Sequence, residues 1–215
     1  PRAVVRGAIG KTTISDKVGK SKKIDVKGVA NQWEATLIQV VDNPTKEIGR
    51  ALVIAGADKR GTIYGMFHLS RLMGVSPWYF WADVPTVHHD SVFLTTQKIV
   101  LETPKVKYRG IFLNDEAPCL TTWVKNTYGT DFGGNKFYAD VFELILRLRG
   151  NFMWPAMWGW AFYADDPENS RTADEFGIVM GTSHHEPMAR NHQEWARHRD
   201  EYGVWDYPSN QVVID

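Results

Sequence analysis

The sequence lacks several features that would assign it at once to a class of protein. It has a single cysteine, Cys119, so no internal disulfide can form and cysteine usage indicates no redox compartment. Its 25 basic and 25 acidic residues balance, and we expect the one short basic run, at 17–23, to be a solvated loop. No apolar run approaches the roughly 20 residues of a membrane span, and no signal peptide is visible. We therefore expect neither a nucleic-acid nor a membrane partner.

Both ends of the chain indicate an excerpt of a longer protein. The first residue is Pro1 rather than a methionine, and the last, Asp215, follows an apolar run at 212–214. We expect sequence that is absent here to complete the domains described below.

Aromatic residues are abundant, with nine tryptophans, eight tyrosines and ten phenylalanines. They cluster at 78–81 and 154–163. Aromatic side chains bury large apolar areas, which favours a packed core, and their flat faces also stack on sugar rings. Composition leaves both interpretations open.

The first half of the chain has the pattern of a small α/β domain. Apolar runs at 35–41 and 51–55 predict buried strands, and the periodicity at 62–73 predicts a helix that ends at Gly74. A further strand is expected within 92–101. Pro104 is a plausible boundary, so we predict an N-terminal α/β domain at 1–103, incomplete at its start, and a second, incomplete domain at 104–215.

The second half alternates strands with helices. The predicted strands are 108–113, 151–158 with its regular part at 151–154, and 178–181; the predicted helices are 137–149, 172–176 and 188–202. Such alternation predicts a parallel sheet with right-handed crossovers. The fold class is therefore α/β: an N-terminal α/β domain followed by the first β/α units of a TIM-type barrel, truncated because three units cannot close a barrel of eight. An open doubly wound sheet is the alternative.

Polar residues follow the first predicted strand of this half, at Asn114, Asp115 and Glu116. Glycoside cleavage needs one carboxylic acid to protonate the leaving oxygen and a second carboxylate to activate water or to attack. Neighbouring strand residues point to opposite sides, so Asp115 and Glu116 are not expected to form that pair. An acidic loop cap is the structural alternative.

The other two strands also end in groups suited to a sugar site. His184, His185 and Glu186 follow the third strand, and they lack the spacing of a zinc protease, so we expect hydrogen bonds to a substrate and no metal. Trp158, at the tip of the second strand, is the candidate for sugar stacking, whereas Trp154 is expected to be core.

A cationic pair, Lys59 and Arg60, lies at the N-terminus of the helix predicted in the first domain, just before its first residue. A helix N-terminus and its cations attract anions, so the pair is a candidate for binding an anionic group of a substrate. Surface charge is the alternative, because the loop lacks the ending of a phosphate-binding P-loop.

Taken together, long segments resemble glycoside hydrolase family 115. Those that resemble its N-terminal domain are 56–65 (GADKRGTIYG), 74–79 (GVSPWY) and 81–85 (WADVP); those that resemble the start of its catalytic barrel are 108–118 (YRGIFLNDEAP), Asn151 with 154–158 (WPAMW), and 181–187 (GTSHHEP). Several long motifs in the right order make this resemblance specific.

The resemblance implies xylan α-1,2-glucuronidase activity, which releases glucuronic acid or its 4-O-methyl form with inversion. It implies an α/β domain, a β/α barrel, a helical bundle and a β-sandwich, of which this chain would hold most of the first and the beginning of the second. The matching pocket residues are Asp115, Trp158 and a histidine of the pair His184 and His185. Because other catalytic acids would lie on later strands, we expect this chain alone to be inactive.

We expect glucuronoxylan or its oligosaccharides as the partner, no cofactor, and an extracellular or periplasmic location because xylan lies outside cells. A homodimer of the full-length protein stays open. Two other functions also stay open. One is a carbohydrate-binding domain without catalysis, and the other is a metal-dependent barrel hydrolase using Asp115, His184 and His185.

Overall fold

A computed structural model describes residues 24–95, 97–155, 157–181 and 192–214. The chain divides into two compact units. The first comprises Pro1–Lys107, as far as it is described, together with Leu146–Arg149, and the second comprises Tyr108–Ile145 and Gly150–Asp215. Among the described residues, no helix is both long and apolar enough to cross a membrane.

The first unit contains a three-stranded antiparallel sheet in the order β2-β1-β3. Its strands are β1 (Thr36–Thr45), β2 (Ile48–Gly56) and β3 (Ile99–Leu101). The first two form a hairpin in which Thr36 pairs with Gly56. The strand predicted within 92–101 is β3, which is much shorter than that range.

Helix α1 (Lys59–Leu72) packs on this sheet through small residues. The carboxylate of Asp58 caps it by accepting the Gly61 N–H at 2.8 Å, so the helix begins three residues before the predicted start. A Cβ added at Gly65 would lie 2.4 Å from Ile54 Cγ2 and 2.6 Å from Thr36 Cγ2, so only glycine allows this approach. The helix ends before Gly74, whose φ of +93° suits glycine, as predicted.

The second unit contains three parallel strands in the order β4-β5-β6. They are β4 (Gly110–Phe112), β5 (Phe152–Trp154) and β6 (Val179–Met180). Ile111 pairs with Met153, which pairs in turn with Met180. The prediction of three neighbouring parallel strands is confirmed. The chain is thus of mixed α/β class, with two small sheets, and a barrel is not shown.

Helices connect and follow these strands. They are α2 (Cys119–Tyr128), α3 (Asn135–Arg147), α4 (Phe162–Asp165), α5 (Glu168–Phe176), α6 (His192–Arg197), α7 (Arg199–Tyr202) and α8 (Gln211–Ile214). The helix predicted at 137–149 is α3, shifted by two residues, and the one predicted at 172–176 begins earlier, at Glu168. The helix predicted at 188–202 is divided at His198 into α6 and α7, and residues 188–191 lie outside the described part of the chain.

Aromatic side chains make much of the core of the second unit. The Tyr138 and Phe162 rings meet edge to face at 4.7 Å, and those of Phe137 and Trp160 do so at 5.7 Å. All four residues are buried. The aromatic cluster at 154–163 therefore contributes Trp160 and Phe162 to the core. This agrees with the interpretation of the aromatic residues as a packed core.

The expectation that Trp154 belongs to the core is wrong, because 45% of the residue is exposed. Strand alternation gives the reason. Met153 is fully buried, so its neighbour Trp154 faces the other side of the sheet, where its ring meets the exposed Phe112 ring at 6.3 Å.

Candidate active-site loop

Asp115 lies just beyond the end of β4 and is almost completely buried, with 4% of its surface exposed. Its carboxylate accepts three consecutive backbone N–H groups. Oδ1 accepts from Trp158 at 3.2 Å, and Oδ2 accepts from Gly159 at 2.9 Å and Trp160 at 2.7 Å. Both oxygens are thus used to hold the segment that follows β5.

The residues that receive this carboxylate form the segment 157–161, which we call the Trp158 loop. Met157 and Trp160 anchor it in the core, whereas Trp158 is 63% exposed between them. The indole N–H of Trp160 also donates to the carbonyl of Asp131 at 3.1 Å. The loop therefore presents one flat, exposed aromatic face from a segment that is fixed on both sides.

A second buried acid supports the same loop. Asp165, at the end of α4, accepts the Ala161 N–H through Oδ2 at 2.6 Å, and its side chain is 3% exposed. Four successive backbone N–H groups, those of residues 158–161, therefore donate to the carboxylates of Asp115 and Asp165. Such runs of N–H groups around an anion are a known way to fix an irregular segment.

Two tyrosines of the second unit have raised pKa values. Burial, with the negative charges of Asp165 and Asp115, raises the pKa of Tyr138 well above its ordinary value of 10.0. Burial and the hydrogen bond to Asp140, at 2.7 Å, also raise the pKa of Tyr128. Both tyrosines are therefore neutral at physiological pH.

The other predicted site residues of the second unit are either exposed or outside the described part of the chain. Asn114 and Glu116 flank Asp115 and are exposed, so the two adjacent acids differ in burial, although both lie beyond the end of β4. His184, His185 and Glu186 lie outside the described residues, so their convergence with Asp115 and Trp158 stays a prediction. Asp115 and Trp158 themselves do meet, through the carboxylate of one and the backbone of the other.

In the first unit, Arg60 takes part in a buried ion pair. Its Nε lies 2.5 Å from Glu34 Oε1, where the Glu34 side chain is fully buried and that of Arg60 is 15% exposed. The guanidinium also lies 4.7 Å from the centroid of the Trp33 ring. Arg60 thus neutralises a buried carboxylate, while Lys59 is exposed. A role for either in binding a sugar carboxylate stays a prediction.

Comparison with known proteins decides the family. The profile of glycosyl hydrolase family 115 matches residues 101–215, more than half of the chain. A solved structure described as "A novel family GH115 4-O-Methyl-alpha-glucuronidase, BtGH115A, with specificity for decorated arabinogalactans" is 35% identical, with a TM-score of 0.78 over 96% of this chain. The chain belongs to glycosyl hydrolase family 115.

The match covers only part of that family-115 structure. The chain spans about a quarter of its length, 26%. In a comparison with curated proteins, none matches.

The family motifs located Asp115 and Trp158, but three residues that support the loop were missed. They are Asp165, Gln193 and Arg197, and their contacts with the loop or with each other appear only in the structure. A signal did exist for two of them, since Gln193 and Arg197 are four residues apart and therefore share a helix face.

No group of three or more histidine, cysteine or acidic side chains could hold a metal ion within the part of the chain that the structure describes. This part excludes His184 and His185, so it does not test the metal-dependent alternative.

Proposed function

We propose that the protein is a glycoside hydrolase that removes α-1,2-linked glucuronic acid, or its 4-O-methyl form, from xylan with inversion. Membership of family 115 and 35% identity to a 4-O-methyl-alpha-glucuronidase carry this proposal. The Trp158 loop adds support, because an exposed, rigidly held tryptophan suits stacking on a sugar ring.

The architecture that fits this function is a β/α barrel begun by β4, β5 and β6 and completed by strands outside this chain. All-parallel sheets are normally covered on both faces. Here one face carries the buried Met153, while Phe112 and Trp154 on the opposite face are each almost half exposed. In a barrel that second face would point inward and be covered by the other strands.

Within such a barrel, the carboxyl ends of the strands would form the sugar site. Asp115 is proposed as a proton-transfer group or a sugar-hydroxyl ligand, and Trp158 as the stacking platform. Asn114, Glu186 and the histidines His184 and His185 would add hydrogen bonds. We favour the histidines over Lys59 and Arg60 as partners of the glucuronate carboxylate, because Arg60 already pairs with Glu34.

The test is product analysis with the full-length enzyme. We expect release of glucuronate from glucuronoxylan, with the β-anomer formed first, because an inverting enzyme reverses the α configuration. Glucuronate-decorated arabinogalactan serves as the comparison substrate, since the similar solved enzyme is described as specific for decorated arabinogalactans. Release from arabinogalactan alone would reject xylan as the substrate, and an initial α-anomer would reject inversion.

The same assay separates the other two functions. A binding domain without catalysis would retain the polysaccharide and release no uronic acid. A metal-dependent hydrolase would lose activity when a chelator is added and regain it with metal, whereas we expect a chelator to have no effect. Because xylan lies outside the cell, we also propose an extracellular or periplasmic location.

A further inference from the structure

Helix α6 approaches the Trp158 loop from its carbonyl side. Gln193 donates from Nε2 to the carbonyl of Trp158 at 2.5 Å, and Arg197 donates from Nη2 to the carbonyl of Gly159 at 3.1 Å. Since Asp115 takes the N–H groups of the same two residues, both edges of this peptide segment are held.

Arg197 also connects the two sides of the loop. Its Nη1 lies 2.6 Å from Asp165 Oδ1, while Asp165 Oδ2 accepts the Ala161 N–H. The fork of one guanidinium therefore joins a nearly buried carboxylate to a loop carbonyl. A lysine has one ammonium and no planar fork, so it cannot reproduce both contacts in the same geometry.

From these contacts we infer that Gln193 and Arg197 are positioning residues that fix the orientation of Trp158 for sugar binding. The inference rests on the proposed function, since it assigns Trp158 the role of a sugar platform. Neither side chain needs to touch the substrate. Their effect is to limit the backbone freedom of Trp158 before the sugar arrives, which lowers the entropic cost of binding.

Loss of these contacts should weaken substrate binding more than it slows the chemical step. Each contact is a hydrogen bond to a carbonyl, so its loss corresponds to about a 2- to 10-fold rise in KM. We expect kcat to stay within about 2-fold, because a stacking face contributes similarly to the substrate and transition-state complexes.

The experiment compares Gln193→Met and Arg197→Lys in the full-length enzyme, with 4-O-methylglucuronoxylo-oligosaccharides as substrate. Arg199→Lys is the matched control, since Arg199 lies on the next helix and is exposed. The two test variants should raise KM, and the control should not. Combining Gln193→Met with Trp158→Ala should give no effect beyond that of Trp158→Ala alone, because residues that act through one side chain are not additive.

A second measurement does not depend on the substrate. Amide hydrogen exchange in the peptide that spans 157–161 should be faster in both test variants and unchanged in Arg199→Lys. Unchanged exchange in both would overturn the positioning role, and so would additive effects in the double variant or an unaltered KM. If the wild-type enzyme releases no glucuronate, the proposed function fails, and the exchange data alone then decide whether Gln193 and Arg197 hold the loop.

Discussion

Asp115 illustrates how one side chain determines the local structure of the candidate site. Three successive backbone N–H groups donate to its two oxygens. An amide at this position would place an NH₂ group against N–H donors. The residue therefore has a clear role in the fold, whether or not it also transfers a proton.

Asp115→Asn should accordingly affect both stability and activity. We expect a loss of about 1–3 kcal/mol in the free energy of unfolding, because a buried donor would be left without its acceptor. If Asp115 transfers a proton, kcat should fall by about 10²–10⁴-fold. Urea unfolding and steady-state kinetics of the full-length enzyme measure the two effects, and Glu116→Gln, an exposed neighbour, is the control with the same change of charge.

The shape of the pH–rate profile separates the two roles. Removal of a proton-transfer group should abolish one limb of the profile. If the limb remains and only the height falls, Asp115 is a positioning residue and the catalytic assignment is wrong.

His68, on α1, makes the stability of the first unit depend on pH. Burial, and then the charges of Arg149 and Arg71, lower the pKa of His68 below its ordinary value of 6.5. The unfolded chain therefore binds a proton more readily, so stability is lost as the pH falls through 6.5 toward the folded-state pKa.

His68→Gln should remove this dependence. Urea unfolding at pH 7.5 and at pH about 5 should show a smaller loss on acidification in the variant than in the wild type. His89→Gln, at an exposed histidine, provides the control. An equal loss in His68→Gln and wild type would contradict the account.

At the scale of elements, hydrophobic periodicity predicted α1, α3 and the three parallel strands, because each has one face that must be buried. Periodicity did not predict features that depend on a single tertiary contact. The early start of α1 depends on the Asp58 cap, and the exposure of Trp154 depends on which sheet face the helices cover. The hydrogen bonds from the Trp158 loop to Asp115, Gln193 and Arg197 join residues about 35–45 positions apart, and no local pattern pairs these side chains with the loop.

The junction of α1 with the segment before β1 provides a test of such a contact. Arg60→Met removes the guanidinium that pairs with the buried carboxylate of Glu34, so we expect a loss of about 3–5 kcal/mol in the free energy of unfolding. Arg50→Met, which breaks an exposed pair with Asp42, should cost much less. Urea unfolding measures both.

A double variant distinguishes a buried uncompensated charge from lost packing. Adding Glu34→Gln to Arg60→Met should recover part of the stability, because it removes the buried charge that has lost its guanidinium. If the double variant is less stable than Arg60→Met, the uncompensated charge is not the cause.

At the scale of the whole molecule, we propose that the reaction needs a second carboxylate besides Asp115. An inverting glycosidase places its acid and base about 6.5–9.5 Å apart, and we propose that the partner of Asp115 lies on a later barrel strand. The 215-residue chain should therefore release no glucuronate from xylan, whereas the full-length enzyme should. Turnover by the chain alone would refute the need for that partner.

The central claim is that Trp158 is the sugar platform of a family-115 glucuronidase, and the most direct test is the kinetics of Trp158→Ala in the full-length enzyme. Trp78→Ala, at another partly exposed tryptophan, is the control. We predict that Trp158→Ala raises KM for 4-O-methylglucuronoxylo-oligosaccharides by about 10-fold or more, as expected for the loss of an aromatic stacking face, and that Trp78→Ala leaves KM unchanged. A KM in Trp158→Ala equal to that of the wild type would contradict the claim.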